Sequence, residues 1–291
     1  MSADIAHELR STIEETAPRT LRARAVLLLG PLTSLAGPGV TICSDSLNHA
    51  SIVDGCRLAR AQVRVYDHAD LDHLSALLSD IEGRVVVVSD SVFSMDGDTA
   101  DLEGLARLCA RRQALLILDE AHAVLGPDAR GLDEDVELLR VGTLSKTLGS
   151  LGGFVAGSRR WIELLVNRAR PFIFTTALSP PDAAAALAAL GVMRSPEGDE
   201  LRRRLDTHVQ AIRPGHGSPI VPVILGDEAD AVQAARALLE RGLLVPAIRP
   251  PTVPAGSSRL RVTMSAAHTS SQVEVLLGAL RELGLLCVGP T

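Results

Sequence analysis

Among the 29 basic side chains of this 291-residue chain only one is a lysine, Lys146, in the stretch VGTLSKTLGS at residues 141–150. Guanidinium keeps its proton at any physiological pH, whereas a lysine amine can shed its proton and attack a carbonyl carbon. A lysine kept where the rest of the chain uses arginine is therefore a candidate nucleophile or base, although a solvated surface lysine satisfies the same observation. Upstream, Asp119 closes the apolar run LLILD and opens DEAH at residues 119–122. A carboxylate at the end of a buried strand can hold a positive charge on a ligand; locally it is also a plain turn or cap residue. DEAH as the acidic motif of a nucleotide-driven helicase requires an upstream GxxxxGK[ST] loop. The sole lysine lies downstream and follows Ser145, so that reading fails.

The elements that must position these residues alternate. GVTICSD and AQVRVYD read as strands, RVVVVSD and ALLILD as buried strands, and VELLRVGT and GGFVAGS as two more. Between them ASIVDGCRLARA, with apolar residues at helical spacing, DLDHLSALLSDI, opened by an aspartate cap, and DLEGLARLCARR read as helices. This alternation predicts an α/β fold with a mainly parallel sheet. Ligands in such sheets sit at the carboxyl ends of the strands. Four polar clusters fall there: SDSLNHAS, SDSVFSMDGD, LDEAH and GTLSKT. Beyond TTALSPPD the pattern becomes α+β, which predicts a large domain over 1–179 and a smaller C-terminal domain over 180–291.

Composition narrows the classes further. A net charge of −6 argues against nucleic-acid partners, which need clustered excess cation. Cys43, Cys56, Cys109 and Cys287 lack paired spacing, so neither a zinc site nor a disulfide framework is expected. The N-terminus MSADIAHELRSTIEE is acidic rather than signal-like, and no apolar run reaches membrane-spanning length, so a cytoplasmic protein is expected. Aromatic residues are 2% of the chain, so aliphatic packing must carry the core.

A lysine that condenses with the aldehyde of pyridoxal phosphate needs an anion at the pyridine nitrogen, which keeps the ring protonated as an electron sink. ILDEAH followed by TLSKTLG puts Asp119 and Lys146 in the order of such a pair. With SDSLNHASIVDGCRLARA, VVVSDSVFSMDGD, GTLSKTLGSLGG, RPFIFTTALSPP and IRPPTVPAGSSRLRVTMSAAH, the chain resembles the α-oxoamine synthases, fold-type-I pyridoxal-phosphate enzymes, from about Pro38 to the C-terminus.

The resemblance implies a decarboxylating condensation of an amino acid with an acyl thioester, carried on CoA or an acyl carrier protein. The member it is most similar to uses L-alanine and a pimeloyl thioester in biotin synthesis. By the same resemblance Lys146 is the Schiff-base lysine and the base for the α-proton, and Asp119 pairs with the ring nitrogen. His49 stacks on the ring and meets the substrate, with Ala121 on the other face. His122 bonds the ring hydroxyl oxygen, Ser94 contacts the cofactor and Thr143 binds its phosphate. Thr175 and Thr176 reach the phosphate from a neighbouring subunit, which implies a homodimer with shared sites. Arg249 holds the substrate carboxylate and Thr252 adds a contact.

The group also has, ahead of its shared strands, a substrate arginine and a Ser-Gly-aromatic turn that holds the phosphate. RARAVLLLGPLTSLAGPG lacks the Gly-aromatic pair, and Arg10, Arg19, Arg22 and Arg24 fall in no such motif. Weaker cofactor binding is the expectation, at ~1.5–3 kcal/mol per lost hydrogen bond to a charged group. Three readings stand at this point: an active synthase of this kind, a glycine-using relative, and a paralogue that keeps the fold and only binds.

Overall fold

The computed structural model describes residues 21–23, 29–123, 132 and 135–286. Arg10, Arg19, Arg24 and Cys287 lie outside them. Seven strands form one sheet: β1 (Leu21–Ala23), β2 (Val40–Asp45), β3 (Gln62–Tyr66), β4 (Arg84–Asp90), β5 (Leu115–Asp119), β6 (Glu137–Thr143) and β7 (Gly153–Gly157). Their order is β1-β7-β6-β5-β4-β2-β3. β2 through β6 pair in parallel, β7 runs antiparallel to β6, and β1 antiparallel to β7. The sheet is thus mainly parallel, with a reversal at the β6–β7 connection that carries Lys146.

Period-two alternation divides each strand between two cores. Val86 and Val88 of β4 and Ile117 of β5 face one side, against Leu32, Ile52 and Phe172. Val85, Val87, Leu116 and Leu118 face the other, against Leu74, Leu105 and Cys109. Strands covered on both faces need continuous apolar runs, which explains RVVVV and LLIL. Each buried Val or Leu side chain contributes roughly 1.5–3 kcal/mol relative to exposure, so aliphatics can hold a core with so few rings.

The covering helices are α1 (Leu29–Leu35), α2 (Ala50–Leu58), α3 (Leu71–Asp80), α4 (Leu102–Arg112), α5 (Arg159–Arg168), α6 (Arg170–Ile173) and α7 (Pro180–Met193). Asp70 and Asp101 cap α3 and α4 by accepting from His73 and Gly104 backbone N–H groups.

Two compact units result. The first runs to Phe93 and again from Ala100 to Val192; the second contains Ser94–Thr99 and everything from Met193. The division falls after Val192 and not at Pro180, because the start of α7 is tied into the first unit by Ser150, whose hydroxyl donates to the Asp182 carbonyl at 2.6 Å. The second unit holds α8 (Pro196–Ile212), α9 (Glu228–Leu239), α10 (Ser270–Glu282) and a three-stranded antiparallel sheet. That sheet is β8 (Ile220–Gly226), β10 (Ser258–Thr263) and β9 (Ala247–Ile248), in that order.

Ser94–Thr99 is held there by the buried Arg259 guanidinium on the Asp96 carboxylate and by Arg261 Nε donating to the Ser94 carbonyl at 2.6 Å. Gly97, at φ +69°, lies so close to the Ile220 carbonyl that a Cβ would collide with it. Among the described residues no helix is long and apolar enough to cross a membrane.

Candidate active site

Parallel register brings the strand ends together. Asp90 of β4 is the partner of Asp119 of β5, and Asp119 of Val141 in β6. Thr143 ends β6, and the chain turns to Gly153 of β7 through a loop closed on itself. Leu144 N–H donates to the Gly152 carbonyl and Ser150 N–H to the Leu144 carbonyl, both at 2.9 Å. Gly149 and Gly152 take φ of +58° and +118°, the left-handed backbone that glycine tolerates, and let the loop close. Lys146 sits on it with Nζ 2.7 Å from His122 Nε2.

Asp119 is 5% exposed, and its carboxylate accepts from Ala121 N–H at 2.9 Å. Burial raises its pKa above the usual carboxylate range; the Ala121 N–H, His49 and Lys146 oppose the shift without cancelling it. Asp90, 3% exposed, is pushed up to about 8 by burial first and by the Asp119 charge second. Two buried carboxyls so close cannot both ionise cheaply. Behind them Glu120 accepts from Arg140 Nε at 2.7 Å, yet burial outweighs that attraction and raises it to about 7.

His49 is the N-cap of α2. Its N–H donates to Asp90 Oδ2 at 2.7 Å, and its ring Nδ1 accepts from Ser51 N–H at 3.2 Å. The adjacent Asn48 is buried: its amide donates to Ser44 Oγ and to the Val88 carbonyl, and its oxygen accepts from Asp90 N–H. That side chain stitches the loop after β2 to the end of β4, which fixes both His49 and Asp90.

Asp90, Ser51 and Gly152 line one cavity of about 480 Å³, a volume suited to a cofactor with a small substrate. His49, Asp119, Ala121, His122, Thr143 and Lys146, all singled out in the sequence, border it. Thr175 and Thr176 follow α6 in the first unit, half-buried and exposed respectively, and do not border it. Ser94, Arg249 and Thr252 belong to the second unit; Thr252 N–H donates to the Arg249 carbonyl at 3.0 Å in the turn after β9.

Asp90, Asn48 and Ser51 were not picked out from the sequence. Asp90 had a signal, an acid closing the buried run RVVVVS as Asp119 closes LLIL. Asn48 and Ser51 had none, since their roles are hydrogen bonds across some forty residues or to a single ring nitrogen.

The raised carboxyls make stability pH-dependent. Asp90 and Glu120 have folded pKa values above their unfolded ones, so their protonated forms favour the fold. That contribution is complete below the unfolded values and is lost as pH rises through 7 and 8. The cofactor-free protein is expected to lose on the order of 2 kcal/mol between about pH 6 and pH 9, measured by urea unfolding, with Asp90→Asn removing part of the slope. A stability that rises over this interval contradicts the assignment.

The donor set fits pyridoxal phosphate: an amine for its aldehyde, a buried carboxylate for its ring nitrogen, an imidazole on the cavity wall and a hydroxyl for its phosphate. Burial of Asp119 is the decisive observation, because a cationic ring nitrogen relieves the cost of its buried charge. Fold and site define a pyridoxal-phosphate enzyme, and the chain belongs to the aminotransferase class I and II family, which it matches over residues 23–280.

Within that family it belongs to the 8-amino-7-oxononanoate synthases, pyridoxal-phosphate-dependent acyltransferases. It is 50% identical to the 8-amino-7-oxononanoate synthase of Marinobacter nauticus over 87% of this chain and 68% of that one. With the 8-amino-7-oxononanoate synthase of Anaeromyxobacter dehalogenans it shares 51% identity over 85% of this chain and 66% of that one. The chain therefore spans about two thirds of the length of these curated relatives. A solved serine palmitoyltransferase from S. paucimobilis with bound PLP is similar at TM-score 0.88 and 30% identity, over 97% of this chain and 78% of that one.

Proposed function

We propose that this chain carries out the decarboxylating condensation of L-alanine with a pimeloyl thioester to 8-amino-7-oxononanoate, with pyridoxal phosphate as its cofactor. The observation that carries the reading is the pairing of the Lys146 amine with the buried Asp119 carboxylate on one cavity. When bound, the cofactor supplies a protonated pyridine ring that delocalises the electron pair left by a departing α-proton.

Lys146 Nζ takes that proton, and His122 Nε2, at 2.7 Å, gives the amine a neighbour with which to share it. Asp119 keeps the ring nitrogen charged, and Asp90 holds His49 over the cavity through the His49 N–H. Thr143 offers its hydroxyl to the phosphate, with the Ser145 hydroxyl 2.7 Å away beside it. Ser94 adds a cofactor contact, Arg249 a cation for the substrate carboxylate and Thr252 a further polar group. Thr175 and Thr176 serve the partner's phosphate in a homodimer, and the acyl group arrives on CoA or an acyl carrier protein. A cytoplasmic setting accords with the buried free thiols of Cys43, Cys56 and Cys109.

The test is to add pyridoxal phosphate to the purified chain and assay carbon dioxide and product mass with pimeloyl thioester and alanine, glycine or serine. Product from alanine is expected to exceed the other two by at least tenfold. Uptake of cofactor with glycine as the preferred amino acid moves the chain to another acyl-transfer reaction. No uptake at all removes the enzymatic reading.

A further inference from the structure

Two contacts from one residue fix the chemistry of the His49 ring. The Ser51 backbone N–H points at Nδ1 at 3.2 Å, and the Ser51 hydroxyl lies 2.8 Å from the same atom. A backbone amide can only donate, so Nδ1 must present its lone pair. In the neutral imidazole the proton then resides on Nε2. The rest of the residue is held as firmly. Its own N–H is anchored on Asp90 Oδ2, and the preceding Asn48 bonds Ser44, Val88 and Asp90. The ring therefore keeps its place at the start of α2 while lining the cavity.

We propose that Ser51 is a positioning residue that holds His49 as the Nε2–H tautomer. The ring so held is a hydrogen-bond donor toward a carbonyl or carboxylate oxygen of the bound substrate, and never an acceptor there. The helix cap and the ligand contact are then two ends of one imidazole: the capping bond to Nδ1 decides what Nε2 offers. The substrate class rests on the proposed function; the tautomer does not. A ring with the opposite tautomer would lose the Ser51 cap and turn a lone pair toward an oxygen, repelling it.

The experiment reads the ring directly. Long-range ¹⁵N–¹H correlation spectra of the cofactor-free chain distinguish the two tautomers from each other and from the doubly protonated ring. His49, assigned by its loss in His49→Gln, is expected to show a protonated Nε2 and a bare Nδ1. Ser51→Ala keeps the backbone N–H and is expected to keep that pattern. Ser51→Pro removes the donor in the first helical turn, where proline is tolerated, and is expected to give a mixture.

In the cofactor-loaded enzyme, Ser51→Pro is expected to lower kcat at least fivefold, and Ser51→Ala, which keeps the backbone donor and loses the hydroxyl, by a smaller factor. A role confined to capping the helix would lower thermal stability and leave kcat of the folded fraction alone. A protonated Nδ1 in the parent protein overturns the proposal, whatever the variants do. So does a Ser51→Pro protein that keeps a pure Nε2–H ring. The expected tautomer in a chain that takes up no pyridoxal phosphate leaves Ser51's hold on the ring standing and removes the functional reading instead.

Discussion

Lys146→Arg is expected to abolish covalent capture of pyridoxal phosphate and to lower turnover on the order of 10⁴-fold, with the fold unchanged. The guanidinium keeps its proton at any working pH, so it can neither condense with an aldehyde nor accept a proton from carbon. Lys146 is exposed and lies on a loop whose closing bonds run between backbone atoms of Leu144, Lys146, Gly149, Ser150 and Gly152. The substitution leaves those bonds in place, and an exposed change of this kind alters stability by about 0.5 kcal/mol or less. The measurement is borohydride reduction in the presence of cofactor, followed by peptide mass analysis. Wild type should be labelled on the peptide containing residue 146 and the variant nowhere, at equal urea midpoints. Turnover by the arginine variant within tenfold of wild type would place the base on another side chain.

The parts of the fold legible in the sequence were those governed by local pattern. RVVVVSD and LLILD are buried on both faces and flanked by aspartate-capped helices, so their apolar runs and caps mark β4, β5 and α4 to within a residue or two. Helices α5 and α6 were passed over although Ile162 and Leu165 are buried at helical spacing, because SRRWIELLVNRARPF is dense in arginine and interrupted by Pro171. The assignment of Ser94–Thr99 to the second unit was not legible at all. It depends on Asp96 meeting Arg259 and on Gly97 fitting beneath the Ile220 carbonyl, pairings far apart along the chain.

The site divides in the same way. Lys146 and Asp119 stand out by residue type and by their place at strand ends. Asn48 acts only through bonds to Ser44, Val88 and Asp90, and no local pattern announces a side chain whose work is to join two strand ends.

Asp119→Asn is expected to move stability and activity in opposite directions. The carboxylate is 5% exposed, and burial raises its pKa, which means that its ionised form costs the cofactor-free fold free energy. A neutral amide of the same shape can still accept the Ala121 N–H through its oxygen. It also removes the charge that helps push Asp90 up. Above about pH 7 the cofactor-free variant should therefore be as stable as wild type or more so, by about 1 kcal/mol in urea unfolding.

With cofactor the balance reverses. The amide cannot hold a positive charge on the ring nitrogen, so the electron sink weakens and turnover should fall about 10²–10⁴-fold. Gain without the cofactor and loss with it is the signature of a residue kept for chemistry at a cost to the fold. A residue kept for packing alone would give loss in both states. If Asp119→Asn destabilises the cofactor-free protein and leaves turnover near wild type, the buried carboxylate serves the strand end rather than the ring, and the pairing with Lys146 loses its chemical meaning.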